Sequence, residues 1–152
     1  MEERIEKAVS LFKEGYNCSQ SVVLAYADMY GFTKDQSLRM ASSFGAGIGR
    51  MRETCGAACG MFLLAGLETG SIDPKDNTAK SNNYKVVQDM AAEFKLRNGS
   101  LICGDLLGLN GKKIVISSTA EERTPEYYKK RPCVKMVEEA ARIFGEYLKD
   151  SK

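Results

Sequence analysis

The chain has 152 residues, 43% hydrophobic, 28% charged and 9% aromatic, a composition that fits one soluble domain over 1–152 and is too short for two. Lys and Arg number 22 against 20 for Asp and Glu, and the resulting charge of +2 argues against a dedicated nucleic-acid or membrane-surface binder. Histidine is absent, which excludes Ser-His-Asp and Cys-His catalysis, Cys2His2 zinc, His-ligated haem and Glu-x-x-His di-iron sites within one chain.

Ile5, Ala8, Val9 and Phe12 fall on one helical stripe and predict an amphipathic helix ended by Gly15. Asn17 is a good N-cap for a second helix, which carries Val22, Val23, Tyr26 and Tyr30 to a stop at Gly31. Thr33 caps a third over 34–43, with Leu38, Met40 and Ala41 as its apolar contribution. Gly45, Gly47 and Gly49 alternate through the next segment, which reads as a loop entering the fourth helix and able to cover a site around Cys55. That fourth helix, 55–68, is apolar nearly all round and is expected to be the buried centre of a bundle.

A polar connection with Pro74 leads to a long helix over 78–98, marked by Tyr84, Val87, Met90, Ala91 and Phe94 and closed by Gly99. Residues 100–109 are short and apolar, broken by Gly104 and Gly108, and predict a helical turn beside the core. Ile114-Val-Ile116 is strand-like but lacks a partner, so 112–118 is expected as a loop. Pro125 opens a short helical piece, and Pro132 is expected at the first position of a last helix with Val134, Val137, Ala140, Ala141, Phe144 and Leu148. The predicted architecture is an all-α, single-domain bundle of five to six helices around 55–68.

The longest apolar run, 57–67, is well short of the roughly 20 residues that span a bilayer, so no membrane span is expected. The start, Met1-Glu-Glu-Arg-Ile-Glu-Lys, lacks an apolar h-region, and a cytoplasmic home follows. Structural disulfides are rare in such a compartment, and a chain of this length buries roughly 70% of its unfolded surface without them. Its five cysteines are thus free for other work.

Cys18, Cys55 and Cys133 each stand at the start of an expected helix, where the helix dipole favours thiolate by about 0.3–1 kcal/mol. From a free pKa near 8.5, this raises the ionised fraction at pH 7 from about 3% to roughly 14% at most. The Lys129-Lys-Arg131 run makes Cys133 the expected most acidic thiol. The competing reading is plain core packing, since cysteine is often buried; a helix start is a poor place to hide an inert side chain. No Cys-x-x-Cys pair occurs, so the thioredoxin motif and zinc-knuckle spacings are absent. Cys55 and Cys59 share a helix face, with Cβ atoms about 5–6 Å apart against the roughly 3.8 Å of a disulfide, a spacing better suited to a shared metal. The other gaps are long, so any common site is assembled by folding.

Gly56 and Gly60 would let a neighbouring backbone or a bulky cofactor approach Cys55 closely, at up to about 1 kcal/mol each relative to alanine; close helix packing explains them equally well. The run Gly45-Ala-Gly47-Ile-Gly49-Arg50 has Arg where the dinucleotide fingerprint needs Gly and follows no strand, and Gly111-Lys112 fails the P-loop pattern, so no nucleotide is expected. Arg50 and Arg52 offer charge to thiolates or to an anionic ligand, although solvated loop arginines are the simpler expectation. Tyr127-Tyr128 with Lys129-Lys-Arg131 is read as a solvated helix face rather than a nucleic-acid patch, and Glu121-Glu122 as surface.

With these residues in view, the chain resembles the redox-active C_GCAxxG_C_C family, whose pattern is a lone early cysteine, then Cys-Gly-Ala-x-x-Gly, then two separate cysteines. Here these are Cys18 in Tyr16-Asn-Cys18, then Cys55-Gly56-Ala57-Ala58-Cys59-Gly60, then Cys103 in Ile102-Cys103-Gly-Asp and Cys133 in Arg131-Pro-Cys133-Val. The resemblance covers residues 5–145 and puts Cys59 at a variable position, outside the shared site. It implies a small bacterial-type or archaeal protein, similar to the domain attached to split-Soret cytochrome c, which transfers electrons with a redox partner protein. Cys18, Cys55, Cys103 and Cys133 would then converge as ligands of an iron–sulfur cluster or another thiolate-bound metal, or act as a dithiol–disulfide relay. The alternative is a non-catalytic helical binding or assembly module with buried structural cysteines, and a homo-oligomer stays open.

Overall fold

The computed structural model describes residues 1–109 and 116–151, so the predicted loop at 112–118 lies mostly outside the described residues. Its helices are α1 (Glu2–Lys13), α2 (Cys18–Tyr26), α3 (Lys34–Ser42), α4 (Gly56–Thr69), α5 (Asn77–Asn98), α6 (Cys103–Leu106), α7 (Pro125–Lys130) and α8 (Cys133–Asp150). Six of them run nine residues or more, which is the expected all-α bundle; α6 and α7 are short additions. Among the described residues, β pairing is limited to one isolated antiparallel bridge, Thr54 to Ile102. No helix among them is long and apolar enough to cross a membrane.

Both predicted N-caps close full capping boxes. Asn17 Oδ1 accepts from Gln20 N at 2.9 Å while Gln20 Oε1 accepts from Asn17 N at 3.1 Å. Thr33 and Gln36 repeat the exchange at 3.1 and 3.0 Å. The second helix does not run unbroken to Gly31: it passes into a 3-10 turn over Ala27–Tyr30. Arg4 Nη1 donates to Ala25 O at 2.8 Å, competing for a carbonyl that a continued α-helix would use, and Gly31 (φ 78°) closes the turn.

Helix α4 is the centre, as its composition predicts. Ala57, Ala58, Met61, Leu64 and Ala65 are fully enclosed. Around them lie Val22 and Tyr26 of α2, Met90 and Phe94 of α5, and Val137, Ala140 and Phe144 of α8. Helix α1 packs across α2 and α8 through Ile5, Ala8 and Phe12. One side of α4 is open at Gly66 and Glu68. Arg97 ties α5 to α8 by pairing with Glu139 at 3.2 Å and Glu146 at 2.8 Å.

Tyr26 links α2 to α8: its hydroxyl donates to Ala141 O at 2.7 Å, and its ring meets Phe144 edge-on at 4.9 Å. Tyr26→Phe is expected to lower stability by about 1 kcal/mol, read as a lower urea midpoint with unchanged slope.

Candidate functional site

Cys18, Cys55, Cys103 and Cys133 line one cavity of about 50 Å³, room for a few waters. Each marks a helix start: Cys18, Cys103 and Cys133 are the first residues of α2, α6 and α8, and Cys55 is the N-cap of α4. Cys103 was expected within a helical turn, and the structure makes it the residue that opens one. Pro132, expected inside the last helix, is instead its N-cap, so Cys133 takes the first helical position. All five cysteines are free thiols.

Two devices gather sulfurs that the sequence scatters. The Thr54–Ile102 bridge is flanked by Cys55 N donating to Leu101 O at 2.7 Å and Cys103 N donating to Glu53 O at 2.6 Å, which sets Cys55 beside Cys103. Glycine supplies the second. A Cβ at Gly56 would lie 2.7 Å from Phe44 O and 3.3 Å from the Cys18 Cβ, and one at Gly47 (φ 80°) would lie 2.6 Å from the Cys103 Cβ. Gly56 lines the cavity. Gly60 lies where Ser19 O and Val22 of α2 press against α4, so the close approach there is helix on helix. Cys59 is not among the lining residues; its thiol donates to Thr54 O at 3.9 Å.

The four thiols are electrostatically unlike. Cys133 is pulled down to about 7, first by a hydrogen bond from the Cys18 thiol, then, against the opposing cost of burial, by Arg131, the Tyr127 hydroxyl and Arg123. Cys18 is pushed well up because its proton is held by Cys133 and because it is buried. The sequence ranked Cys133 as most acidic on neighbouring cations; Arg131 contributes, but the largest cause is a cysteine 115 residues away. Cys55 departs from expectation: burial drives it up to about 12, although the Ala58 and Ala57 N–H groups of α4 pull it down. Burial also raises Cys103 against a lowering hydrogen bond from Arg52. A helix start lowers a thiol only where desolvation does not outweigh it.

Several side chains around the cavity depart from the simpler solvent-exposed expectation. Arg52 is not a solvated loop arginine: its side chain is 10% exposed and Nη1 donates to Cys103 Sγ at 3.7 Å. Ala46, Ile48, Arg50 and Arg52 all have φ between 54° and 64°, a left-handed run that curls the loop over the cavity rather than leaving it slack. Tyr127 and Arg131 are not a solvated face either. Tyr127 helps to hold the Cys133 pKa down, and its ring lies 6.5 Å from that of Phe12. Arg123 lies 4.2 Å over the Phe12 ring and donates to Phe12 O and Tyr16 O, both at 2.9 Å. Glu121, expected as plain surface, accepts from Arg50, Arg52 and Arg131.

Tyr127→Phe removes one donor to the Cys133 thiolate. The pH midpoint of Cys133 alkylation, followed by mass spectrometry, is expected to move up from about 7.

Four thiols on one cavity are the right donor type for an iron–sulfur cluster. Among the described residues, however, no three Cys, Asp or Glu side chains are grouped closely enough to hold a metal ion.

Compared with known families, residues 16–147 match the one described as "Putative redox-active protein (C_GCAxxG_C_C)". No curated protein and no solved structure matches the chain.

Proposed function

Because the chain belongs to this redox-active family, we propose that it works by dithiol–disulfide exchange, with Cys133 as the attacking thiolate and Cys18 as the resolving thiol. One observation carries the reading: Cys18 and Cys133 line one cavity, and the Cys18 thiol is the largest cause that holds the Cys133 pKa down to about 7. A thiol with a pKa near ambient pH is the best compromise between ionised fraction and nucleophilicity.

The Cys133 thiolate attacks one sulfur of an oxidised partner R–S–S–R′, forming Cys133–S–S–R and expelling R′–S⁻. The negative charge on Cys133 is then gone, and with it the largest cause holding the Cys18 proton in place. Cys18 passes its proton to a departing thiolate and attacks Cys133 Sγ, closing the Cys18–Cys133 bond and releasing R–S⁻. The protein loses two electrons and the partner gains them. Arg131, Arg123 and Tyr127 stabilise the thiolate at the start and at the end of the reverse reaction.

The reduced protein, treated with the neutral disulfide dithiodipyridine, is expected to yield a Cys18–Cys133 bond by mass mapping, reversible by dithiothreitol. Absence of that bond contradicts the relay. Anaerobic loading with iron and sulfide that gives visible absorbance dependent on all four cysteines favours the cluster reading instead.

A further inference from the structure

Beside the cysteine cavity lies a second one of about 420 Å³, within the size range of small-molecule pockets. The two share Asn17, Ala46, Arg52, Arg123 and Tyr127 in their walls, which sets the wider one directly against the thiol cavity.

Arg50, Arg52 and Arg131 all reach Glu121 Oε1 through Nη2, at 2.9, 3.2 and 2.7 Å. Their side chains are 21%, 10% and 26% exposed, so three partly desolvated guanidiniums share one carboxylate. Guanidinium forks are suited to carboxylates, and gathering three cations in a cleft is costly unless negative charge meets them. Glu121 offsets one charge of the three. It lies in 116–124, a stretch without helix or strand, which Arg50 also holds through Ser117 O at 3.0 Å and through Thr119 O. Arg52 joins the two chemistries: Nη1 donates to Cys103 Sγ while Nη2 pairs with Glu121. A carboxylate placed where that of Glu121 lies is one guanidinium away from a cavity thiol.

We infer that this wider cavity binds a small anionic thiol or disulfide bearing at least two carboxylates, and that Glu121 occupies one carboxylate position as an internal stand-in until the ligand displaces it. The inference rests on the thiol–disulfide reading and supplies its substrate class. One carboxylate exchanges with Glu121 on Arg50, Arg52 and Arg131, and a second meets the charge that Glu121 leaves unmatched. A disulfide ligand then presents one sulfur to the Cys133 thiolate, which forms the mixed disulfide while the ligand's other half leaves as thiolate. A thiol ligand runs the reverse, its thiolate attacking Cys133 Sγ of the Cys18–Cys133 disulfide and expelling the Cys18 thiolate.

The test uses the full chain and two aromatic disulfides, dithiobis(nitrobenzoate), which carries two carboxylates, and neutral dithiodipyridine. The ratio of their rates cancels differences in thiol reactivity between variants. Arg50→Gln is expected to lower the ratio of anionic to neutral rate about tenfold, and Glu121→Gln to raise it. Glutarate, a dicarboxylate without sulfur, is expected to slow the neutral reagent in the wild type and to lose that effect in Arg50→Gln. An equal ratio in all three proteins, with no effect of glutarate, overturns the inference. Thiols that react with neither reagent contradict the proposed function itself. The anion site is then judged on glutarate alone: shifts of the backbone NMR signals at 50–52 and 121 support it, and unmoved signals overturn it.

Discussion

Cys133→Ser is expected to slow reaction with an external disulfide at pH 7 at least about fivefold. Cys133, at about 7, is half ionised there. The other four cysteines are all raised, Cys103 of the same cavity included, so each holds roughly 1% or less as thiolate. A higher pKa returns some nucleophilicity, up to about tenfold for the least raised thiol at a Brønsted slope of 0.4–0.5, so a deficit of about fivefold or more remains. Cys18→Ala should behave differently. Its first step is slower, because Cys133 loses its main hydrogen-bond donor, but the mixed disulfide then persists for want of a resolving thiol. Stopped-flow release of the leaving thiol reads the first effect, and intact mass of the trapped adduct reads the second.

On stability, two glycines of α4 are expected to respond with opposite sign. A Cβ at Gly60 would lie 2.9 Å from Ser19 O and 3.0 Å from the Val22 Cβ, so Gly60→Val forces α2 and α4 apart, at about 3 kcal/mol. Gly66, on the open side of the same helix, meets nothing within 4 Å, and Gly66→Ala is expected to stabilise by up to about 1 kcal/mol through helix propensity. Urea unfolding of both variants checks the pair. Gly60→Val also presses on Ser19, next to Cys18, so its Cys133 reactivity is expected to fall with its stability.

The bundle was legible because its determinants are local: an apolar stripe in α1, caps at Asn17 and Thr33, and an almost wholly apolar α4. Boundaries moved where tertiary contacts intervened, as at the α2 end, where Arg4 of α1 takes the Ala25 carbonyl. The convergence of Cys18, Cys55, Cys103 and Cys133 was legible only through the family pattern, since a cavity closed by an isolated backbone bridge between Thr54 and Ile102 and by close approach at Gly47 and Gly56 leaves no periodicity to read. The Arg50 and Glu121 pair joins residues 71 apart in two irregular segments, and neither propensity nor spacing points from one to the other. The low pKa of Cys133 was anticipated in direction, while its main cause, the Cys18 thiol, is a tertiary contact. Burial overrode the helix-start argument at Cys55, because a dipole effect of at most about 1 kcal/mol does not offset removing a charge from water.

The most direct test is a residue-resolved titration: alkylation of Cys133 against pH in the wild type and in Cys18→Ala, quantified by mass spectrometry. The thiol pair predicts a wild-type midpoint at about 7 that rises when the Cys18 donor is removed. A wild-type midpoint at or above the roughly 8.5 of a free cysteine, or one that Cys18→Ala leaves in place, contradicts it.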